Sequence, residues 1–433
     1  MLVEFKVGNF RSFKDIVKFS MVASADKKHG DTHTVKVSDK LTLLKSSVIY
    51  GANASGKSNL FKAMAFMRDF VLKSSKESLA NEDIDVERFR LSTETDNLPS
   101  TFEMIFLIDN IRYRYGFQVD ENEVYAEWLF YVPTSREATL FTREKNDFKL
   151  GADFKEGKGL RDKTRDNALF LSVVAQFNGE IAQRILDWFD NLKIISNMDG
   201  DGFPMFALSR LDENDYKEFA SQFLKVADLG IKEIKKTEKP FCKEDFPKGL
   251  PKKFIDKIMS MGGDVSSLEV NTLHQKYDNS NKPVVDETFS FFENESAGTL
   301  ALFGLSAHIY HAIKKGKVLV VDELASQLHP LLTCAIIEAF HQARCKSGET
   351  GSRTLSSQAQ LIFVSHDTSI LKNQLFRRDQ IWFAQKNEYG ATDLYSLEEY
   401  RIRNDASFSK DYIMGKYGAV PFIGDIDSLF SSL

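Results

Sequence analysis

Eight residues near the start of the chain have the types and spacing of a phosphate-binding loop. Glycines open and interrupt the stretch, and a lysine and a serine close it: Gly51-Ala52-Asn53-Ala54-Ser55-Gly56-Lys57-Ser58. Glycines let backbone N–H groups form a nest around phosphate oxygens, to which a following helix N-terminus adds its dipole. Lys57 suits the β- and γ-phosphates, and the Ser58 hydroxyl suits Mg²⁺. The predicted ligands of Mg·ATP are Gly51, Asn53, Ala54, Ser55, Gly56, Lys57, Ser58 and Asn59. The alternative is a glycine-rich turn with an incidental lysine.

Two adjacent carboxylates follow an apolar run later in the chain. Residues 318–321 read Val-Leu-Val-Val, which is typical of a buried strand, and Asp322 and Glu323 come directly after them. Such a placement costs free energy unless a cation or a polar network receives the charges. We expect Asp322 to hold Mg²⁺ through water and Glu323 to polarise the attacking water as the catalytic base. The alternative is a strand that ends in a solvated acidic turn.

A histidine follows a second apolar run. Ser365-His366-Asp367 comes after Leu361 to Val364, and the spacing from Glu323 leaves room for one helix, one loop and one strand. An imidazole in this place can donate a hydrogen bond to the γ-phosphate and so sense its loss, which makes His366 a second catalytic candidate. A histidine after a strand is otherwise incidental.

Two further stretches precede predicted helices and allow either a structural or a functional interpretation. The first is Glu295-Ser296-Ala297-Gly298-Thr299, in which Ser296 can cap the helix. The second is His329-Pro330, in which proline suits the first helical position and His329 can be the cap. In the functional interpretation, the turn with His329 lies at a contact between two nucleotide-binding units, and Ser296 matters because it lies one helix before the Asp322–Glu323 strand.

The elements that must position these residues follow from the hydrophobic patterns. Strand, glycine loop and helix succeed one another from Ser47 onward, which is the context that a phosphate-binding loop requires. Residues 101–150 alternate as antiparallel strands do, residues 167–262 have mostly helical spacing, and strands return at 265–292. Residues 346–358 have the composition of a polar loop, and 380–395 that of a hairpin.

Composition limits the class of protein. The 433 residues carry a formal charge of −5, with 42% hydrophobic and 27% charged residues, which is typical of a globular protein of more than one domain. Mild acidity gives no overall electrostatic case for nucleic-acid binding. Three cysteines without close pairs, no signal-like N-terminus and no apolar run of about 20 residues predict a soluble cytoplasmic protein with no membrane contact.

In this order, the motifs resemble those of the RecF/SMC/OLD branch of the ABC-type ATPases. Residues 9–13, Asn-Phe-Arg-Ser-Phe, resemble the opening strand of that branch. More narrowly, the chain is similar to the RloA- and AbiL-type ATPases of bacterial phage-defence operons. The stretches that support this are 21–24, 51–59, 168–172, 378–383 and 415–421. The resemblance implies an α/β fold, namely an ABC-type (P-loop) nucleotide-binding domain with an antiparallel β subdomain and a helical insertion.

The resemblance also implies domain boundaries. Residues 1–165 are expected to form an N-terminal ATPase lobe with the phosphate-binding loop and the antiparallel β subdomain. Residues 166–263 are expected to form the helical insertion. Residues 264–433 are expected to form the C-terminal lobe with the remaining motifs.

Site residues and partners follow from the same resemblance. ABC-type ATPases carry a Ser-Gly-Gly signature that approaches the γ-phosphate of the partner subunit, and Ser296 and Gly298 are its counterparts, with Ala297 and Thr299 as departures. Arg11 is expected to reach the nucleotide, and Gln118 is a candidate for the glutamine of the Q-loop. The implied assembly is a homodimer or a higher even-numbered oligomer.

The leading hypothesis is an ATP-driven dimerisation switch that controls a partner nuclease in a bacterial abortive-infection system. A second hypothesis is a RecF-like repair ATPase that binds nucleic acid, for which the lysine-rich tract Lys232–Lys257 is the best feature; a solvated helical surface is its plain alternative. A third is an ATP sensor that does not hydrolyse its nucleotide.

Overall fold

A computed structural model describes residues 1–76, 82–196, 198, 203–227, 230–240, 266–326, 328–347, 353–356, 358–403 and 406–421. Its strands are β1 Leu2–Gly8, β2 Val17–Ser20, β3 Thr34–Ser38, β4 Leu41–Leu44, β5 Ser46–Tyr50, β6 Ser100–Ile108, β7 Ile111–Val119, β8 Val124–Val132, β9 Ala138–Glu144, β10 Asp147–Leu150, β11 Lys193–Ile195, β12 Ile231–Pro240, β13 Ser266–Tyr277, β14 Pro283–Ser290, β15 Val318–Val321, β16 Arg344–Ser347, β17 Arg353–Ser356, β18 Gln360–Val364, β19 Ile381–Lys386 and β20 Thr392–Ser396. Its helices are α1 Gly30–His33, α2 Lys57–Lys73, α3 Phe170–Gln176, α4 Glu180–Asn191, α5 Met205–Arg210, α6 Asn214–Val226, α7 Phe291–Asn294, α8 Ala297–Lys315, α9 Pro330–Gln342 and α10 Phe408–Ile413.

The chain divides into two compact units. The first contains Met1–Asn197 and His311–Leu433, and the second contains Met198–Tyr310. Among the described residues, the first unit holds a seven-stranded antiparallel sheet in the order β10-β9-β8-β7-β6-β1-β2. It also holds a sheet in the order β11-β15-β18-β5-β19-β20, in which every neighbouring pair is parallel except β19 and β20. This mixed α/β architecture confirms the predicted fold class.

Helix α2 packs into the core of the first unit. Its apolar residues recur at helical spacing, and Leu60, Met64 and Met67 are buried in one cluster with residues of β1 and β6 such as Phe5 and Phe102. This packing fixes the helix that begins at the phosphate-binding loop, because the periodic apolar face can be buried in only one orientation.

Helices α3 and α4 belong to this same core and not to an insertion. Phe170, Ile185 and Phe189 are fully buried in it, and the rings of Phe106 on β6 and Trp188 on α4 stack at 4.2 Å. The predicted boundary at residue 166 therefore differs from the boundary between the two units, at residues 197 and 198. The helical spacing of the sequence correctly predicts α3 and α4, but it does not indicate which unit buries their apolar faces.

In the part of the second unit that the structure describes, a sheet occupies some positions where the sequence pattern predicts helices. It contains α5, α6 and α7, and β12, β13 and β14 form an antiparallel sheet in that order. The Tyr216 hydroxyl of α6 lies 2.8 Å from the Ser306 hydroxyl of α8, and both are buried. Residues 231–240 of the predicted helical segment are a strand, because cross-strand pairing outweighs a weak helical pattern. Most of the lysine-rich tract, residues 241–257, lies outside the described residues.

The predicted polar loop at 346–358 is also partly paired. Strands β16 and β17 form an antiparallel hairpin in the register Arg344↔Ser356 to Ser347↔Arg353. The centre of that prediction, residues 348–352, lies outside the described part of the chain.

Candidate functional site

Three of the sequence motifs meet at one edge of the parallel sheet. Strand β15 pairs with β18 in the register Val321↔Phe363, and β18 pairs with β5 in the register Val364↔Ile49. The residues that follow these strands are Asp322 and Glu323, Ser365 and His366, and the loop from Gly51. Because all three strands are parallel, their carboxyl ends lie together, which is where α/β sheets bind ligands.

The phosphate-binding loop has the backbone that its sequence predicts. Gly56 has φ 104° and Ala54 has φ 59°, both in the left-handed region that costs a residue with a Cβ atom free energy. Helix α2 begins directly after Gly56, at Lys57. The loop therefore leads straight into a helix N-terminus, whose free N–H groups and dipole favour an anion.

The Lys57 ammonium is folded back onto this loop. Its Nζ donates to the carbonyl oxygens of Gly51, at 2.9 Å, and Ala52, at 2.8 Å. Burial lowers the pKa of Lys57 to about 8, although Asp322 and Glu323 act to raise it. A buried ammonium held by carbonyl oxygens and facing two carboxylates has the charge environment that a bound polyphosphate would complete.

The surroundings of Asp322 fit a magnesium ion. Burial raises the pKa of Asp322, and a hydrogen bond from Ser58 opposes that rise, which brings the two predicted metal residues into contact. The Asp322 Oδ1 atom is buried and has no hydrogen-bond partner among the described residues. Native proteins rarely leave such an atom unsatisfied. Mg²⁺ prefers carboxylate, hydroxyl and water oxygens, so Ser58 and Asp322 would hold it.

Glu323 has an unusual backbone for a glutamate. Its φ is 56°, in the left-handed region, and its side chain is exposed where that of Asp322 is half-buried. The Ser326 N–H donates to the Glu323 carbonyl at 3.0 Å, which holds this turn. Left-handed residues other than glycine cost about 1–2 kcal/mol and cluster at functional sites. This conformation turns Glu323 away from the direction of its strand, where its side chain is exposed.

His366 lies within electrostatic reach of the same groups. Burial and the Lys57 ammonium lower the pKa of His366, and Glu323 raises it. The residues beside it are held firmly: the Ser365 N–H donates to the Ile49 carbonyl at 3.3 Å, and the Tyr50 hydroxyl donates to the Asp367 carbonyl at 2.9 Å. The structure thus brings His366, Lys57 and Glu323 together, as the sequence predicts.

Thr392 and Ser12, which sequence reasoning did not assign to the site, support the phosphate-binding loop. Thr392, at the start of β20, lies 2.8 Å from the Ser55 carbonyl, and its hydroxyl is 2.9 Å from that of Ser12. Asn59 donates its side-chain amide to the Ser12 hydroxyl at 2.8 Å. No local pattern marks Thr392, because its contacts depend on a strand pairing far along the chain.

Arg11 and Gln118, two further residues predicted to lie at the nucleotide, form hydrogen bonds with other residues of the protein. Arg11 donates to the Glu87 carboxylate at 2.9 Å, and its backbone N–H donates to the Glu87 carbonyl at 2.8 Å. Its contact with a nucleotide stays a prediction. Gln118 lies within strand β7 and donates to Thr101 at 3.3 Å, so the Q-loop proposal for it is wrong: a strand residue paired across a sheet is not in a loop.

Ser296 lies in the second unit, at the start of α8. Its hydroxyl accepts from the Thr299 N–H at 3.1 Å, so the capping interpretation is correct. Its side chain is nevertheless exposed and Gly298 is half-buried, which leaves the helix end accessible. His329 is likewise the cap of α9, since its Nδ1 accepts from the Leu331 N–H at 3.2 Å.

Comparison with protein-family profiles finds a match over most of the chain. The family profile described as "AAA domain, putative AbiEii toxin, Type IV TA system" matches residues 46–372, which include the phosphate-binding loop, Ser296, Asp322, Glu323 and His366 but not Arg11. No curated protein has significant sequence similarity to the chain. None of the described helices has the length and apolar character needed to cross a membrane.

Three solved structures align with most of this chain at low sequence identity. An SMC head bound to the C-terminal winged-helix domain of ScpA is 12% identical, with a TM-score of 0.44 over 91% of this chain and 97% of that one. The SMC head domain from Thermotoga maritima is 10% identical, with a TM-score of 0.39 over 93% and 99%. The recombination mediator RecF with ATP is 13% identical, with a TM-score of 0.37 over 91% and 99%.

Proposed function

The chain belongs to the family described as "AAA domain, putative AbiEii toxin, Type IV TA system", and from this premise we propose that it binds Mg·ATP and hydrolyses it to ADP and phosphate. The single observation that best supports this is the meeting of Lys57, Asp322, Glu323 and His366 at the carboxyl edge of one sheet. Structural ion pairs alone would not leave the Asp322 Oδ1 atom buried and unpaired.

Each residue then has one task. Lys57 and the loop N–H groups hold the β- and γ-phosphates, and Ser58 and Asp322 orient the metal ion. Mg²⁺, when bound, neutralises charge on the phosphate oxygens. Glu323 accepts a hydrogen bond from the attacking water and polarises it, and His366 donates to the γ-phosphate side of the site.

We place Ser296 and Gly298 of a second copy on the open side of each nucleotide. The support is that the tip of α8 is exposed while its capping bond is internal, so the helix dipole remains available to an anion. Two copies arranged head to tail would then enclose two Mg·ATP, in a homodimer or a larger even-numbered assembly. Hydrolysis would loosen this assembly.

The output of the switch is proposed to be control of a partner nuclease in bacterial defence. The family description names a toxin of a toxin–antitoxin system, which supports a role in abortive infection. Infection of cells that carry the wild-type gene and its neighbours, or the Lys57→Ala variant, tests this. Equal phage yields from both would contradict the defence role without affecting the ATPase proposal.

Nucleic-acid binding by the lysine-rich tract receives no support from its described part. Lys232 donates to Asp286 at 2.5 Å, and Lys236 donates to Asp212 at 2.8 Å. Lys235 lies 3.9 Å from Glu233. Ion pairing of these lysines removes most of the positive potential that DNA phosphates would need.

The test is ATP turnover by the wild-type protein and the variants Glu323→Gln and Lys57→Ala. Removing a general base typically costs about 10²–10⁴-fold in rate, so Glu323→Gln should bind ATP and scarcely hydrolyse it. Lys57→Ala should lose binding. If wild type and Glu323→Gln release phosphate equally, Glu323 is not the base. If wild type dimerises with ATP but releases no phosphate, the protein is a sensor that does not hydrolyse its nucleotide.

A further inference from the structure

Three polar side chains and one backbone carbonyl form a continuous chain of hydrogen bonds behind the phosphate-binding loop. The Asn59 amide lies 2.8 Å from the Ser12 hydroxyl, which lies 2.9 Å from the Thr392 hydroxyl, which lies 2.8 Å from the Ser55 carbonyl oxygen. Thr392 is 2% exposed and Ser12 is 7% exposed. Water therefore competes little for these hydrogen bonds, and each one is stronger than it would be at the surface.

Both ends of this chain fix the direction of every bond in it. A carbonyl oxygen can only accept, so the single Thr392 hydroxyl proton is donated to Ser55. Thr392 Oγ1 must then accept from the Ser12 hydroxyl proton. Ser12 Oγ in turn accepts from the Asn59 amide, which can only donate through its nitrogen. The three bonds satisfy one another in a single arrangement, with no alternative that keeps all of them.

The backbone reinforces the same contact. The Thr392 N–H donates to the Ser12 carbonyl at 2.7 Å, so Thr392 holds Ser12 through both main chain and side chain. The turn that contains Ser12 is itself closed by two backbone bonds between Phe10 and Phe13, at 2.8 and 2.9 Å. The hydrogen-bonded turn therefore holds Thr392 in place where it contacts the loop.

The space around Gly56 of the loop is too small for a side chain. A Cβ atom added to Gly56 would lie 2.7 Å from the Ser12 hydroxyl and would collide with Thr392. The C=O of Ser55 and the N–H of Gly56 belong to one planar trans peptide and point in opposite directions. Because Thr392 of β20 holds the Ser55 carbonyl, the Gly56 N–H points to the side away from β20.

We propose that Thr392 is a positioning residue of the nucleotide site, which sets the Ser55–Gly56 peptide so that the Gly56 N–H faces the phosphates. This rests on the proposed function, since it requires that the loop bind a nucleotide. Strand β20 and the N-terminal turn then determine the shape of the loop, although neither contains a nucleotide motif.

The experiment compares Thr392→Val, Thr392→Ser and Thr333→Val by calorimetric titration with Mg·ADP, which needs neither hydrolysis nor a second copy. Valine keeps the shape of threonine and removes the hydroxyl, and serine retains it. Thr333 is the matched control, because it is equally buried and its hydroxyl has no hydrogen-bond partner among the described residues. Thermal unfolding without nucleotide is measured in parallel, and titrations are run well below every melting temperature.

We expect Thr392→Val to weaken Mg·ADP binding about tenfold, the effect of one buried hydrogen bond that orients a ligand group. Thr392→Ser should remain within about twofold of wild type, and Thr333→Val should bind as wild type does. If Thr392→Val binds Mg·ADP as tightly as wild type, or if Thr392→Ser weakens it equally, the inference is wrong. If wild type itself binds no nucleotide, it is the proposed function that fails.

Discussion

Asp322 and Glu323 are neighbours in the chain, yet the structure gives their carboxylates different surroundings. Asp322 is half-buried, touches Ser58 and has one unsatisfied oxygen, whereas Glu323 is exposed on a left-handed backbone. Burial disfavours the charged form of Asp322, which in the absence of a cation makes it a cost to folding. This difference supports the proposal that Asp322 holds the metal ion and Glu323 polarises the attacking water.

At the residue scale, we predict that Asp322→Asn separates stability from metal-dependent binding. The amide removes a buried charge, so the free protein should melt at the same temperature as wild type or higher. Affinity for Mg·ATP should fall at least about tenfold, while affinity for ATP in EDTA changes little, because only the first depends on the ion. Calorimetric titrations with and without Mg²⁺ measure both. Equal losses in the two titrations would contradict a metal role for Asp322.

At the scale of elements, α3 owes its start to a distant glutamate. Its preceding residue, Leu169, provides no side-chain cap. Glu127 of β8 instead accepts from the N–H groups of Phe170, at 2.6 Å, and Leu171, at 2.9 Å. The fully buried Glu127 also accepts from Tyr115 and lies 3.7 Å from Arg143. A buried carboxylate at a helix N-terminus is favourable only with this full set of partners.

Glu127→Ala should therefore destabilise the first unit by about 3–5 kcal/mol, because Arg143 and two helix N–H groups lose their partner. Urea unfolding followed by circular dichroism measures the change. Glu144→Ala, at an exposed position of β9, is the control and should stay within about 0.5 kcal/mol of wild type. An unchanged midpoint for Glu127→Ala would mean that α3 is held by packing alone.

A second element-scale feature is a stack of imidazole rings at the opposite edge of the parallel sheet. The rings of His33 and His341 are 3.6 Å apart, and those of His29 and His33 are 4.6 Å apart. Gln380 fixes the tautomer of His33, because its side-chain oxygen accepts from the Arg377 N–H and so must also accept from a protonated His33 Nδ1, at 2.8 Å. Burial lowers the pKa of His33 to about 4, with His29, Arg377 and Lys45 adding to the effect, and burial also lowers the pKa of His341 well below its usual value.

Folding should consequently become less stable as the pH falls from about 6.5, where the unfolded histidine takes up a proton, to about 4. The unfolded chain binds more protons in this window, and His33 alone accounts for about 2 kcal/mol between pH 7.5 and pH 5. Urea midpoints at both values test this. The variant His33→Asn, whose amide can donate as Nδ1 does, should flatten the dependence, whereas exposed His329→Asn should not. An identical slope in His33→Asn would contradict the assignment.

At the scale of the whole molecule, the nucleotide motifs are shared between the two units. The phosphate-binding loop, Asp322, Glu323 and His366 lie in the first, and Ser296 lies in the second. The proposed head-to-tail dimer makes each catalytic site a joint product of two copies.

Two inactive variants should then restore activity when mixed. Lys57→Ala removes a phosphate ligand, and Ser296→Asp keeps a capping oxygen but sets a negative charge against the γ-phosphate. In a mixed dimer, one site combines the intact loop of one copy with the intact Ser296 of the other, so ATP turnover should reappear. Ser407→Asp, at the cap of α10, is the control and should be active alone. If the mixture stays as inactive as its parts, the sites are not shared between copies.

The sequence by itself determined the elements and the chemistry of the phosphate-binding loop, because glycine placement, a terminal lysine and strand–loop–helix order are local properties. It also located Asp322, Glu323 and His366 at strand ends, where parallel pairing brings them together. Only the tertiary structure decided that α3 and α4 pack in the first unit, that residues 231–240 pair as a strand, and that Thr392 contacts Ser55. These outcomes depend on which surfaces, distant in the chain, bury one another, and the free energy of such contacts leaves no periodic pattern in the sequence.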